Sequence, residues 1–311
     1  MSIETLRIGV DLGGTKTEIV ALSPQGQELI RHRVASPRDD YQATLHTITT
    51  LVAKVESELG ATGTVGIATP GTLSPHTGRM KNANSVWLNG QLLKQDLETA
   101  LKREIRLAND ANCFALSEAT DGAAAGAEVV FGVIVGTGTG GGVVVNGRVL
   151  SGINRIAGEW GHNPLPWAMP EELPGPACYC GKSGCIETYL SGPGMAGDYL
   201  SFGGAITGTI TRTMLDAKAI VQKALAGDPL AEQVLQRYEN RMARALAGVI
   251  NILDPDVIVL GGGMSNITRW YTSVPKLWER YVFSDTVQTR LVAPRFGDSS
   301  GVRGAAWLWP E

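Results

Sequence analysis

Val10-Asp-Leu-Gly-Gly-Thr-Lys-Thr-Glu-Ile-Val20 and Val135-Gly-Thr-Gly-Thr-Gly-Gly-Gly-Val-Val-Val145 share one plan. Each has an apolar β run, a glycine turn carrying small hydroxyls, and a second β run. Their recurrence predicts an internal duplication, hence two similar α/β halves with a cleft between them. A third cluster, Gly261-Gly262-Gly263, follows another apolar run at Val257–Leu260.

Working outward, the first half reads as strands at Leu6–Val10, Thr17–Leu22 and Glu28–Val34, an antiparallel start. Asp39 or Asp40 then caps a helix with Leu45, Ile48, Val52, Val55 and Leu59 on one face, stopped by Gly60. A strand at Thr64–Ala68, a helix near Leu92–Lys102 and a strand at Ile105–Ala108 follow. Asn109-Asp110-Ala-Asn112 then opens an Ala-rich helix. In the second half Val129–Val135 is a strand, Gly136–Gly142 a turn, and Val143–Val145 a strand ending at the hairpin signal Asn146-Gly147. A long helix after Asp228-Pro229 ends at Asp254-Pro255, and a last helix follows Gly297-Asp298. The expected division is an N-terminal lobe over 1–118 and a C-terminal lobe over 119–297 with an insertion at 151–200. A closing helix within 298–311 is expected to pack back on the first lobe.

The 311 residues are 43% hydrophobic and 18% charged, which fits packed globular lobes and not a disordered chain. A net charge of −3 without a basic run gives nucleic acid nothing to bind. No apolar run reaches membrane-spanning length, no signal peptide opens the chain, and the four cysteines are few and clustered. Together these predict a cytoplasmic protein with reduced thiols.

Gly136, Gly138 and Gly141 satisfy the dinucleotide fingerprint, but that motif must open a helix and here the chain continues as a β-hairpin. Gly181-Lys182-Ser183 resembles the tail of a phosphate loop, yet Pro176 stands where its first glycine must be. What remains is backbone that can approach phosphate oxygens without Cβ obstruction. It lies at Gly13, Gly14 and Thr15, at Thr137, Gly138, Thr139 and Gly140, and at Gly261, Gly262 and Gly263. Asp11 can hold Mg²⁺ through water, and Lys16 can meet a transferred phosphate. A metal, phosphates and a base near an attacking hydroxyl are the parts of phosphoryl transfer. Asp110, at a strand-to-helix junction, is the candidate base, although the same position suits an ordinary N-cap.

Residues 159–187 carry a different chemistry. Glu159-Trp-Gly-His162 and Cys178-Tyr-Cys180-Gly-Lys-Ser-Gly-Cys185-Ile-Glu187 hold three of the four cysteines and one of the four histidines. Thiolates and an imidazole closed by Gly-bearing turns suit tetrahedral zinc, as a structural clip, a catalytic centre, or a brace for a neighbouring site. Glu159, His162, Glu187, Asn82, Asn84 and Asn109 supply the donors and acceptors that a polyol requires. Trp87 can stack on a sugar face or belong to the core.

These motifs, taken together over essentially the whole chain, resemble the ROK family of bacterial sugar kinases and related repressors. Asn82–Gly90 and the C-terminal Gly-Asp-Ser-Ser-Gly-Val-Arg-Gly-Ala-Ala-Trp-Leu-Trp stretch resemble its manno(fructo)kinase branch. The resemblance implies a two-lobed ribonuclease-H-like fold of the actin and hexokinase type, ATP with Mg²⁺, and transfer to the 6-hydroxyl of a hexose. It implies fructose as substrate with mannose second, glucose or an N-acetylhexosamine being the alternatives, and a homodimer. By motif position Asp110 is the general base, and Asn84, Asn109, Glu159, His162 and Glu187 bind the sugar. The resemblance also implies that His162, Cys178, Cys180 and Cys185 hold structural zinc, which would leave no open position for zinc catalysis. A repressor would need a reader helix ahead of Asp11, and the ten residues there leave no room for one. Two departures from the family pattern are a long excursion at Asn163–Ala177, and Ala68 where glycine is common.

Overall fold

The structure is a computed structural model in which residues 6–203 and 217–309 are described. The outermost residues of the expected first lobe and closing segment, and 204–216 of the second lobe, lie outside the described residues.

Strands β1 (Leu6–Leu12), β2 (Lys16–Leu22) and β3 (Glu28–Ala35) form an antiparallel meander, with Leu12 opposite Thr17 across the first glycine turn. Helix α1 (Tyr41–Leu59) starts where the Asp40 side chain accepts from the Ala43 N–H at 2.9 Å, a cap worth about 1 kcal/mol. It ends at Gly60 in the left-handed region, and Ile48, Leu51, Val52 and Val55 are its buried face. Strand β4 (Gly63–Thr69) pairs parallel to β1. A small hairpin of β5 (Thr72–Leu73) and β6 (Met80–Lys81), then α2 (Leu93–Leu101), lead to β7 (Ile105–Asn109), parallel to β4, and to α3 (Asp110–Thr120).

The second half repeats the plan. Strands β8 (Val129–Val135), β9 (Thr139–Val145) and β10 (Arg148–Val149) are followed by α4 (Ile186–Leu190), α5 (Gly192–Ser201), α6 (Ala217–Leu225) and α7 (Pro229–Leu253). Then come β11 (Val257–Gly261), α8 (Trp270–Trp278), β12 (Arg290–Val292) and α9 (Ser300–Ala306). The sheet orders, β3-β2-β1-β4-β7 and β10-β9-β8-β11-β12, match position by position, which is the duplication in structural form.

One expectation is corrected. The glycine turn does not extend over Gly136–Gly142, because β9 already begins at Thr139 and only Gly136–Gly138 turns. Its last glycines serve packing: a Cβ on Gly142 would lie 2.4 Å from the Ala111 carbonyl oxygen.

By contacts the chain forms two compact units. One comprises residues up to Gly126, Gly142–Ala157 and Arg295 onward; the other comprises Ala127–Gly141 and Gly158–Pro294. In the first, α9 lies directly on the sheet, with Val302 and Ala306 against Val20 and Leu22. Glycine makes the approach possible, since a Cβ on Gly66 would sit 1.9 Å from the Ala305 carbonyl oxygen. Ala68, the departure from family pattern, is buried here with Cys113 and Ala305. In the second unit the Asn163–Ala177 excursion is anchored to α7 by buried Glu172. Its carboxylate meets Arg241 at 2.8 Å and Arg244 at 2.7 Å. Among the described residues no helix is long and apolar enough to cross a membrane.

Candidate active site

Asp11 is the next-to-last residue of β1, just ahead of the first glycine turn. That turn closes through the Gly13 N–H to the Lys16 carbonyl at 3.1 Å. Ser36 braces it: its hydroxyl donates to the Gly13 carbonyl at 2.6 Å and its N–H to the Thr15 carbonyl at 3.1 Å. Nothing in the local motif marks Ser36, which comes from the far end of the meander. Gly14, Thr15 and Lys16 are exposed, with Ser85 beside Gly14. Ser85 directly follows Asn84, itself exposed on a loop that Asn89 ties at both ends of the Ala83 peptide, at 2.9 Å each. Trp87 packs against the core and its indole N–H donates to Thr44 at 3.3 Å, so it is held as a core residue.

Burial first, then the nearby charges of Asp110 and Glu18, push the Asp11 carboxyl up to about 7, against Lys16 and Arg33. A buried carboxylate raised by neighbouring negative charge is an oxygen donor that a hard dication would neutralise, so Asp11 fits Mg²⁺. Asp110 is exposed at the first turn of α3 and is not the N-cap. Asn109 takes that role, its side-chain oxygen accepting from the Ala111 N–H at 2.9 Å while its amide donates to the Gly71 carbonyl at 3.4 Å. The Ala111 N–H is shared, since it also lies 2.7 Å from Asp110 Oδ1, which fixes that carboxylate at the start of the helix. Cys113, one turn on, is fully buried and its thiol is raised well above the usual range by burial and by Asp11 and Asp110.

In the second unit the turn Gly136–Gly138 is gripped by its neighbours. The Gly192 N–H donates to the Gly136 carbonyl at 2.8 Å, and the Thr139 N–H donates to Glu187 Oε2 at 2.9 Å. Thr137 is exposed and, with Tyr179, Glu187 and Arg237, lines a cavity of about 950 Å³. Gly140 accepts from the Trp160 indole at 3.2 Å. At the third cluster Gly262 adopts φ 76 because its backbone lies against that of Val135, while Gly263 faces open space.

The sulfur cluster is built by a knuckle. The Cys178 N–H donates to the Lys182 carbonyl at 2.8 Å and the Gly181 N–H to the Cys178 carbonyl at 3.0 Å, with Gly181 at φ 87. Ligand atoms of His162, Cys178, Cys180 and Cys185 all lie within 4.8 Å of one another. His162 Nδ1 is 3.6 Å from Cys178 Sγ, and the Cys180 and Cys185 sulfurs are 3.6 Å apart. A zinc tetrahedron with Zn–S of about 2.3 Å has edges of roughly 3.6–3.8 Å, so the set fits the ion. His162 Nε2 meets the Tyr179 hydroxyl at 2.9 Å, a partner unforeseen from sequence, although the residue between two ligands of a knuckle is forced outward. Glu159 is exposed ahead of the short turn that carries His162. Asp11, the first glycine turn, Asn84, Asn109 and Asp110 thus belong to one unit. The second and third turns, the zinc set, Glu159 and Glu187 belong to the other.

An N-acetyl-D-glucosamine kinase of Photobacterium profundum is 39% identical over 304 residues, covering 96% of this chain and 98% of that protein. A ROK hexokinase from Thermus thermophilus is 31% identical with a TM-score of 0.84, covering 98% of this chain and 97% of its own. A ROK family glucokinase from Streptomyces griseus, solved with glucose and AMPPNP, is 26% identical with a TM-score of 0.73, over 97% and 98% of the two chains. The ROK family pattern matches residues 7–311. With its duplicated sheets and its thiol–imidazole cluster, the chain belongs to the ROK family and has that family's two-lobed α/β sugar-kinase fold.

Proposed function

We propose that this sugar kinase transfers the γ-phosphate of ATP to the 6-hydroxyl of N-acetyl-D-glucosamine. The observation that carries the reading is full-length similarity, 39% identical over 96% of the chain, to a relative that is an N-acetyl-D-glucosamine kinase. This replaces fructose, the sugar inferred from Asn82–Gly90 and the C-terminal stretch: a likeness over two short motifs weighs less than one over the whole chain. Mannose and glucose are secondary substrates in this reading.

Asp110 takes the proton of the attacking hydroxyl, a contribution of about 10²–10⁴-fold. Its exposure at the strand-to-helix junction, with Oδ1 held by the Ala111 N–H at 2.7 Å, supports that role. Lys16, the first turn at Gly13–Thr15, the segment Thr137–Gly140 and the third cluster Gly261–Gly263 cradle the phosphates, and Asn84, Asn109, Glu159, His162 and Glu187 hold the sugar. Asp11 would hold magnesium, which would supply charge neutralisation at the phosphates. His162, Cys178, Cys180 and Cys185 would hold zinc as a brace, its four positions filled.

Product analysis tests the reaction. Incubation with ATP, Mg²⁺ and N-acetyl-D-glucosamine should give ADP and a sugar phosphate whose phosphorus couples to the C6 protons in NMR. Phosphate on another oxygen, or none, would reject the proposal.

A further inference from the structure

Glu187 occupies a position its role as a sugar ligand does not explain. It lies in the first turn of α4, two residues beyond Cys185, and its Oε2 accepts from the Thr139 N–H at 2.9 Å across 48 residues of chain. Glycine at 138 leaves room for the carboxylate where it stands: a Cβ there would lie 2.7 Å from Oε2, and the carboxylate tip would have to shift. The same short helix takes the Thr139 hydroxyl, which donates to the Leu190 carbonyl at 3.1 Å. Thr139 itself is buried, so neither of its donors faces water.

Thr139 is the first residue after the glycine turn, and an anionic oxygen on a backbone N–H at such a turn is the contact that a phosphate oxygen makes. A carboxylate in that place also opposes an incoming polyphosphate by charge. We propose that Glu187 stands in for phosphate at the second glycine turn, holding the Thr139 amide until a bound sugar draws the carboxylate onto its hydroxyls. This rests on the reading of Glu187 as a sugar ligand. Sugar then binds before ATP, and the empty enzyme is protected from hydrolysing ATP with water as acceptor. Glycine at 138 and the placement of Glu187 beside the zinc knuckle have one explanation: the turn is built to accept a side-chain anion.

The test is the affinity of AMPPNP with Mg²⁺ for the full-length, zinc-loaded protein, measured by calorimetry with and without N-acetyl-D-glucosamine. The wild-type protein should bind the analogue about tenfold more tightly with sugar, the scale of one charge-assisted contact. Glu187→Ala should bind it in the absence of sugar as tightly as the wild type does with sugar, so that the ratio falls to near one. Glu187→Gln, which keeps an acceptor but loses the charge, should lie between the two and serves if the alanine variant does not fold. Weaker or unchanged analogue binding by both variants in the absence of sugar would overturn the proposal. Sugar affinity of the same variants is a separate readout: a normal value would reject Glu187 as a sugar ligand, whereas sugar-free AMPPNP affinity alone decides whether it blocks the turn.

Discussion

His162 Nδ1 lies 3.6 Å from Cys178 Sγ, while the opposite ring nitrogen is 2.9 Å from the Tyr179 hydroxyl. The imidazole thus faces the thiol cluster through one nitrogen and the Tyr179 hydroxyl through the other, a partner that a sugar hydroxyl would have to replace. Removing the ion that fits this cluster should release His162, Glu159 and Glu187 together. Purified protein should contain one zinc per chain by mass spectrometry. Chelation should weaken N-acetyl-D-glucosamine binding by at least about tenfold before AMPPNP affinity falls. Full sugar affinity in zinc-free protein would contradict this.

Asp110→Asn keeps the size of the side chain and removes the base. Turnover should fall by about 10²–10⁴-fold with KM for the sugar changed little. The melting temperature should stay near that of the wild type, because Asn109 carries the cap. Turnover within a few-fold of wild type would remove Asp110 from proton transfer.

Glu172 predicts an acid sensitivity. Burial pushes its carboxyl up, but the Arg244 and Arg241 guanidiniums and the Met169 N–H hold it down at about 2, against a usual 4.5. A depressed carboxyl stabilises the fold fully above its unfolded value, and that stability is lost as pH falls from 4.5 toward 2. Glu172→Gln should therefore be markedly destabilised at pH 7, and its deficit should shrink as the pH is lowered through that window. Urea titrations at several pH values check it; a deficit independent of pH would contradict the account.

The contact of α9 with α3 should be intolerant of any side chain at residue 304, where a Cβ would lie 1.7 Å from the Cys113 carbonyl oxygen. Backbone cannot yield as a side-chain tip can, so Gly304→Ala should cost at least about 2–3 kcal/mol. A thermal shift of less than a few degrees would show that the helix can slide.

Local patterns in the sequence carried much of this. Asp40 and Gly60 bound α1 because a cap and a left-handed stop act within a few residues. The duplicated strand–turn–strand plan and the cysteine spacing are likewise short-range, and both recur in space. Gly140–Gly142 misled because glycine has two uses, turning and close packing, and only the Ala111 backbone above the strand decides between them. Asp110 could be read as base or as N-cap, and the geometry places the cap one residue earlier, on Asn109. The bonds of Ser36 to the first turn and of Glu187 to Thr139 span 23 and 48 residues, so no local pattern contains them. The sugar was the least accessible part, since hexoses differ by one or two polar groups that no residue spacing encodes.

That last point sets the decisive measurement. Initial rates of ATP consumption should be recorded by a coupled assay with N-acetyl-D-glucosamine, glucose, mannose and fructose, each over a range that gives kcat/KM. The account predicts the highest kcat/KM for N-acetyl-D-glucosamine, with fructose lower by at least about tenfold, the scale set by one unmatched polar group in a binding site. A higher kcat/KM for fructose, or no turnover of N-acetyl-D-glucosamine, would contradict it.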